Sequence, residues 1–319
     1  MFSKLKIGII GSSRMAQMHL EVLKSFKDIT LKAISSTKSG NERREKIRKK
    51  FNIPNSYDDY KIMIKENDLD AIFVSTSVDT IFNISKYLLK KKINIFIEKP
   101  PGLSVVETRE LSSLAMRNKL IAMVGFQKSY YGIFNKAKKF IEKNGGLISI
   151  VIEAPEHFKS IKAKGKFSQK VLRKWIYANC IHCINLFIFF GGDVVRINTI
   201  SKKINERLHP DSINSLLLFK NGISGHFISN WMSPGNYSIT LYGNNFKIVF
   251  SPLEKGKIIF SSGKEKLFIV PKIDTKFKPG LYSQNRYFID CVRKKEMPKR
   301  NDLDDSLKSM ILAKKISNI

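Results

Sequence analysis

The amino-acid sequence predicts a doubly wound parallel α/β domain over residues 1–123, followed over residues 124–319 by an α+β domain with a large, mostly antiparallel open sheet. Three observations carry this expectation. Short β-rich runs alternate with helical stretches through the first third, the pattern of strands joined by crossover helices. The first strand ends in a glycine turn that leads straight into a helix. Beyond about residue 125 the grain changes to a succession of strands separated by Gly and Asn turns. A chain of 319 residues also exceeds one hydrophobic core of ordinary size, which favours two domains.

Taken in order, residues 6–10 read as a strand and 15–26 as a helix with Met15, Met18, Val22 and Phe26 on one face. A strand at 30–35 and a helix at 42–51 follow. Residues 71–75 (Ala-Ile-Phe-Val-Ser) form a buried-type strand, then a helix at 81–90. The strand at 93–97 ends at Glu98-Lys99-Pro100-Pro101, and a helix at 105–117 leads to a strand at 121–126. The second domain opens with a helix at 131–144. Strands are expected at 147–153, 194–202, 212–219, 225–230, 237–242, 246–250, 257–260 and 266–270, with turns at Asn221-Gly222, Gly243-Asn244-Asn245 and Ser262-Gly263. Helices at 281–294 and 302–316 close the chain and are compatible with packing back on the first domain. No internal repeat or low-complexity linker interrupts it.

Composition narrows the function classes. An apolar fraction of 43% supports a folded core rather than disorder. Lys and Arg number 57 against 27 acids, a formal charge of +30. Such a field attracts polyanions or phosphorylated small molecules. The excess is mainly Lys, spread along the whole chain beside abundant Ile, Asn and Phe, so a general compositional bias explains it without a nucleic-acid partner. The densest cluster, Arg43 to Lys50, reads as a solvated helix face. Three cysteines give no disulfide framework. No signal-peptide core precedes Arg14, and no apolar run approaches the ~18 residues of a membrane span. A cytoplasmic location without membrane partner is expected.

The segment Gly11-Ser12-Ser13-Arg14-Met15-Ala16 stands where a strand–turn–helix cradles a pyrophosphate, G-x-G-x-x-G/A. Gly11 supplies the tight turn and Ala16 the close helix packing, while Ser13 replaces the second Gly and has a hydroxyl able to donate to a phosphate. The second strand ends in Ser35-Ser36-Thr37-Lys38, with no acid for a ribose 2′-hydroxyl. The hydroxyls and Lys38, with Arg43 and Arg44 just beyond, tolerate a 2′-phosphate, so NAD or NADP is expected as cofactor with NADP slightly favoured. Ser75 and Thr76, at the end of the next strand, complete the expected cofactor set.

These pieces and three further ones make the chain resemble the Gfo/Idh/MocA family of oxidoreductases over nearly its full length. His19 follows the glycine loop, Glu98-Lys99-Pro100 ends a strand, Val124-Gly125-Phe126-Gln127 opens the second domain, and Ile181-His182-Cys183-Ile184-Asn185-Leu186 begins a helix ending at Gly191-Gly192. The resemblance implies a Rossmann domain, an open-sheet α/β partner domain, and NAD(P)-linked redox chemistry on sugars or cyclic polyols. It also implies Glu98 and Lys99 beside the cofactor and Lys99 and His182 as catalytic residues.

The residue types suit that chemistry. Hydride transfer from a carbinol carbon requires removal of the hydroxyl proton. Lys99, at the carboxyl end of a parallel strand, can polarise the substrate oxygen, and His182 can carry the proton near neutral pH. Asn179, His182 and Asn185 form a polar stripe on an apolar helical run over 175–190. Where the family often carries Asp four residues before the His, this chain has Ala178, leaving Asn179 or Tyr177 to substitute. Cys180 and Cys183 flank His182 but lack the ligands for a metal, and no metal is expected. Substrate contacts are expected from Lys99, His182, Asn179, Gln127, Lys128, Arg173 and Trp175, with Lys174 beside them. The two cations and the aromatic suit a phosphorylated or nucleotide-linked sugar. The expected protein partner is a second copy of this chain, in a dimer or tetramer. A non-catalytic dinucleotide-binding sensor of the same fold is the alternative, favoured by Ala178 and the altered glycine loop; a nucleic-acid binder rests on charge alone.

Overall fold

The computed structural model describes residues 3–204 and 209–318. By Cα proximity the chain forms two compact units, Met1–Phe126 with Leu281–Leu307, and Gln127–Gly280 with Lys308–Ile319.

The first unit holds strands β1 (Leu5–Ile10), β2 (Ile29–Ser35), β3 (Asn55–Tyr57), β4 (Ala71–Val74), β5 (Asn94–Ile97) and β6 (Ala122–Val124). Helices α1 (Arg14–Leu23), α2 (Asn41–Phe51), α3 (Tyr60–Glu66), α4 (Val78–Lys90) and α5 (Val105–Arg117) connect them. The strands make one parallel sheet in the order β3-β2-β1-β4-β5-β6. Parallel strands are covered on both faces, which is why β4 and the last three residues of β5 are buried throughout. The strand order reverses between β1 and β4, the point where such sheets open a crevice for ligands at their carboxyl ends. β3 and α3 are additions to the sequence expectation. Asn55–Tyr57 is a three-residue, half-buried edge strand with no apolar run to announce it.

The second unit begins with α6 (Gly132–Lys143), whose Ile133, Phe134, Ala137 and Ile141 are buried. β7 (Ser149–Glu153) follows, then the short helices α7 (Phe158–Ala163) and α8 (Gln169–Leu172), and α9 (Ile181–Gly191). The remaining strands are β8 (Val194–Lys202), β9 (Ser212–Phe219), β10 (Ser224–Asn230), β11 (Ser238–Gly243), β12 (Phe246–Phe250), β13 (Gly256–Phe260) and β14 (Glu265–Leu267), with α10 (Lys272–Lys276) after them. They form an eight-stranded sheet in the order β14-β13-β12-β11-β7-β10-β9-β8, antiparallel except where β7 pairs with β10. Period-two alternation sorts its residues: Ile213, Ser215, Leu217 and Phe219 of β9 point inward and are buried, while Leu216 between them is 61% exposed.

Helices α11 (Leu281–Lys294) and α12 (Leu303–Ser317) end the chain. Phe288 of α11 meets Phe73 and Phe96 edge-on at 5.3 and 5.6 Å, and those two rings stack at 4.8 Å beneath the first sheet's carboxyl end. No helix of the described residues is long and apolar enough to cross a membrane.

Candidate active site

A cavity of about 650 Å³ lies at the switch point of the parallel sheet. Eight of the residues expected at a cofactor line it: Gly11, Ser12, Ser13, Ser35, Ser36, Thr37, Ser75 and Thr76. Gly11 is required there. It holds φ +117°, and a Cβ would lie 2.2 Å from the Ser75 carbonyl oxygen. Ser13 sits at φ −69°, an ordinary extended conformation, so its backbone does not itself demand a glycine. Its hydroxyl caps α1, accepting from the Ala16 N–H at 3.1 Å, and lies 3.1 Å from the Ser75 carbonyl oxygen. That hydroxyl also lies 3.0 Å from Ser75 Oγ, so it ties the turn to the end of β4. The α1 N-terminus and the Gly11 turn leave backbone room for a pyrophosphate. Thr76 Oγ1 is buried with no hydrogen-bond partner among the described residues, so the cavity offers a polar group in need of a ligand. These features fit a dinucleotide. Arg14, Met15, Ala16, Lys38, Glu98 and Lys99 do not line this cavity. Arg43, expected near a 2′-phosphate, does line it; so do Asp58, Asp59, Tyr60, Ser77, Thr80 and Asn83, which were not expected from the sequence.

Glu98 and Lys99 follow β5 directly. Glu98 is 8% exposed and its N–H donates to the Val74 carbonyl at 2.9 Å, while Lys99 is half-buried at a cis peptide to Pro100. His19 of α1 is wholly buried against the Phe73 and Phe96 rings. Its Nε2 lies 2.8 Å from Glu98 Oε1 and its Nδ1 lies 3.0 Å from Asn285 Oδ1. The helix after the glycine turn thus anchors the residue immediately before Lys99, so two pieces of the sequence pattern form one local structure.

In the second unit the run over 175–190 is not one regular helix. Ile176–Cys180 forms a π turn that passes into α9. Such a turn carries an extra residue and marks a departure from regular packing. Beside it lies Glu156, which is 2% exposed and receives four side chains. Trp175 Nε1 donates at 3.0 Å, Asn179 Nδ2 at 2.9 Å, Cys180 Sγ at 3.3 Å, and the Tyr237 hydroxyl donates as well. Burial first, and the Glu156 charge second, push the Tyr237 hydroxyl and the Cys180 thiol well above their usual ranges, so both stay protonated donors. Cys180 is accordingly inert.

His182 is half-buried on the first turn of α9. The expected polar stripe is divided: the Asn179 amide goes to Glu156 and Tyr237, and the buried Asn185 amide donates to Ser309 Oγ at 3.1 Å. Trp175 is 5% exposed with its N–H committed, so neither it nor the Asn179 amide is displayed as a substrate contact should be. Gln127 is buried and donates to the Pro279 carbonyl at 3.4 Å. Lys128 places its ammonium 4.7 Å from the Tyr237 ring centroid, and Arg173 is exposed. Ala178 is buried, and the carboxylate nearest that turn is Glu156, from the loop after β7.

The six-stranded parallel sheet with its glycine-turn cavity is a dinucleotide-binding Rossmann domain. Residues 5–126 match the family model described as "Oxidoreductase family, NAD-binding Rossmann fold". That stretch is similar to the NAD-binding domain of the Gfo/Idh/MocA oxidoreductases. It is 28% identical over 138 residues to a myo-inositol 2-dehydrogenase of Thermotoga maritima, a match spanning 43% of this chain and 41% of that protein. Over 318 residues it is 20% identical to the NAD-dependent scyllo-inositol 2-dehydrogenase of Bacillus subtilis, covering 95% and 91% of the two chains. In structure it is similar to a levoglucosan dehydrogenase solved with NADH and L-sorbose, with a TM-score of 0.85, 15% identity, and coverage of 99% and 96%.

Proposed function

We propose that this protein is an NAD(P)-dependent dehydrogenase or reductase of sugar-like or polyol substrates. The observation that carries the reading is the cavity built on Gly11 and Ser75, whose shape and unsatisfied Thr76 hydroxyl fit a dinucleotide. A bound nicotinamide supplies or accepts the hydride. Gly11, Ser12 and the start of α1 hold the pyrophosphate. Lys99 orients and polarises the reacting oxygen, and His182 takes or returns its proton. Phosphorylated or nucleotide-linked sugars are the finer substrate proposal, resting on the exposed Arg173 and its basic neighbours. The test is reduced-cofactor formation with NAD⁺ or NADP⁺ against a panel of inositols, aldoses and sugar phosphates. Dinucleotide binding without turnover on any of them would favour the sensor instead.

NADPH is expected to bind at least as tightly as NADH, because Ser36, Thr37 and Arg43 line the cavity where the adenosine ribose belongs. Fluorescence titration with both reduced cofactors checks this; a clear preference for NADH defeats it.

A homo-oligomer is proposed through the outer face of the eight-stranded sheet. Ile200 is 67% exposed, Leu216 61% and Tyr242 39%, an apolar surface that a second copy would cover. Sedimentation should show a dimer or larger, and Leu216→Glu should shift it towards monomer; a monomeric wild type would remove the proposal.

A further inference from the structure

We propose that Arg44 determines cofactor choice by tying off Asp58, the acid that would otherwise stand beside the adenosine ribose. The inference rests on reading the Gly11 cavity as the dinucleotide site. An enzyme selective for NAD places a carboxylate at the end of β2 to accept from the ribose 2′-hydroxyl. This chain has Ser36 there, but the fold supplies an acid from one strand over. β3 pairs in parallel with β2, Ser35 opposite Tyr57, and the Ser36 N–H donates to the Tyr57 carbonyl at 3.2 Å. Asp58 is therefore the next residue beside Ser36, and both line the cavity.

Arg44 decides what that acid does. Its side chain is 5% exposed and every arm is used. Nη1 donates to Asp58 Oδ1 at 2.7 Å and to the Ser36 carbonyl at 3.1 Å, Nε to Ser56 Oγ at 2.8 Å, and Nη2 to Asn41 Oδ1 at 2.8 Å. Arg44 is thus not a direct phosphate ligand, contrary to its expected part beside Arg43. It pairs with Asp58 and holds that carboxylate towards itself, with Glu45 Oε1 3.8 Å from its Nε. The second acid at this rim, Asp59, accepts from the Lys61 N–H at 2.7 Å as the cap of α3. With Asp58 paired and Asp59 engaged as a helix cap, the exposed Arg43 is the cation lining the ribose end, and a 2′-phosphate is tolerated.

The test is a double-mutant cycle read by NADPH and NADH binding, with thermal unfolding recorded for each variant. Arg44→Gln frees the Asp58 charge and should weaken NADPH about tenfold, the scale of one repelling charge near a surface phosphate, while changing NADH less than about threefold. Asp58→Asn should leave NADPH binding unchanged or tighter. The Asp58→Asn/Arg44→Gln protein should regain the wild-type preference, a result that local unfolding from loss of Arg44 could not give. A single variant that weakens both cofactors equally, or a double variant that fails to restore the ratio, overturns the inference. A wild type that binds neither cofactor overturns the reading of the cavity itself.

Discussion

Lys99→Met is expected to lower turnover by at least about 10³-fold while changing the dissociation constant for reduced cofactor less than about threefold. The side chain stays flexible and nearly as long but loses its charge, so the substrate oxygen is no longer polarised or held. Cofactor affinity is retained because the pyrophosphate turn at Gly11 and the ribose rim at Ser36 do not involve residue 99. His182→Ala should cost roughly 10²–10⁴ in rate, the usual range for a lost general acid–base group. The two variants differ in kind. Proton transfer through His182 should give the wild type a pH-dependent limb that His182→Ala lacks, whereas Lys99→Met should scale the whole profile down. The measurement is the steady-state rate with whichever polyol the panel identifies, alongside fluorescence titration of the cofactor. A Lys99→Met protein that keeps a tenth of the wild-type rate would remove Lys99 from the reacting oxygen.

The parallel sheet and its glycine turn were legible in the sequence because their physics is local. Buried strands must be apolar, Gly11 must turn at positive φ, and Ala16 must pack closely. What stayed hidden depends on long-range partners or on broken periodicity. Asp58 follows a three-residue polar edge strand that no hydrophobic pattern marks, and its importance comes from Arg44, 14 residues earlier. His19 stood out in the sequence, but its grip on Glu98 spans 79 residues. The stripe of Asn179, His182 and Asn185 assumed a regular helix, and the π turn at Ile176–Cys180 breaks that assumption. Within the same helix the sequence offers only Tyr177 or Asn179 to replace the missing acid at Ala178. A carboxylate does adjoin that turn, but it comes from Glu156, in the irregular run Ala154-Pro155-Glu156-His157, and meets Tyr237 across 81 residues.

Glu156→Leu should therefore strongly destabilise the second unit. Leucine fills similar volume but accepts nothing, so the indole N–H of Trp175, the Asn179 amide and the Tyr237 hydroxyl would each lose a buried acceptor. Stranding buried donors costs about 1–3 kcal/mol apiece. Partial relaxation brings the sum to about 3–5 kcal/mol, the range found when one member of a buried charged network is removed. For a unit of this size the thermal midpoint should fall by roughly 10 °C. Glu156→Gln should be milder, since the amide keeps one acceptor oxygen while its NH₂ opposes the incoming donors. The π turn is stabilised by these bonds, so its loss should also loosen the first turn of α9, where His182 sits. Hydrogen exchange should then rise over Ile176–Cys180 and the start of α9 in both variants, and more in Glu156→Leu. Calorimetry with hydrogen–deuterium exchange checks both effects together. A Glu156→Leu protein that melts within a degree or two of wild type, with unchanged exchange over that turn, would show that the carboxylate does not hold it.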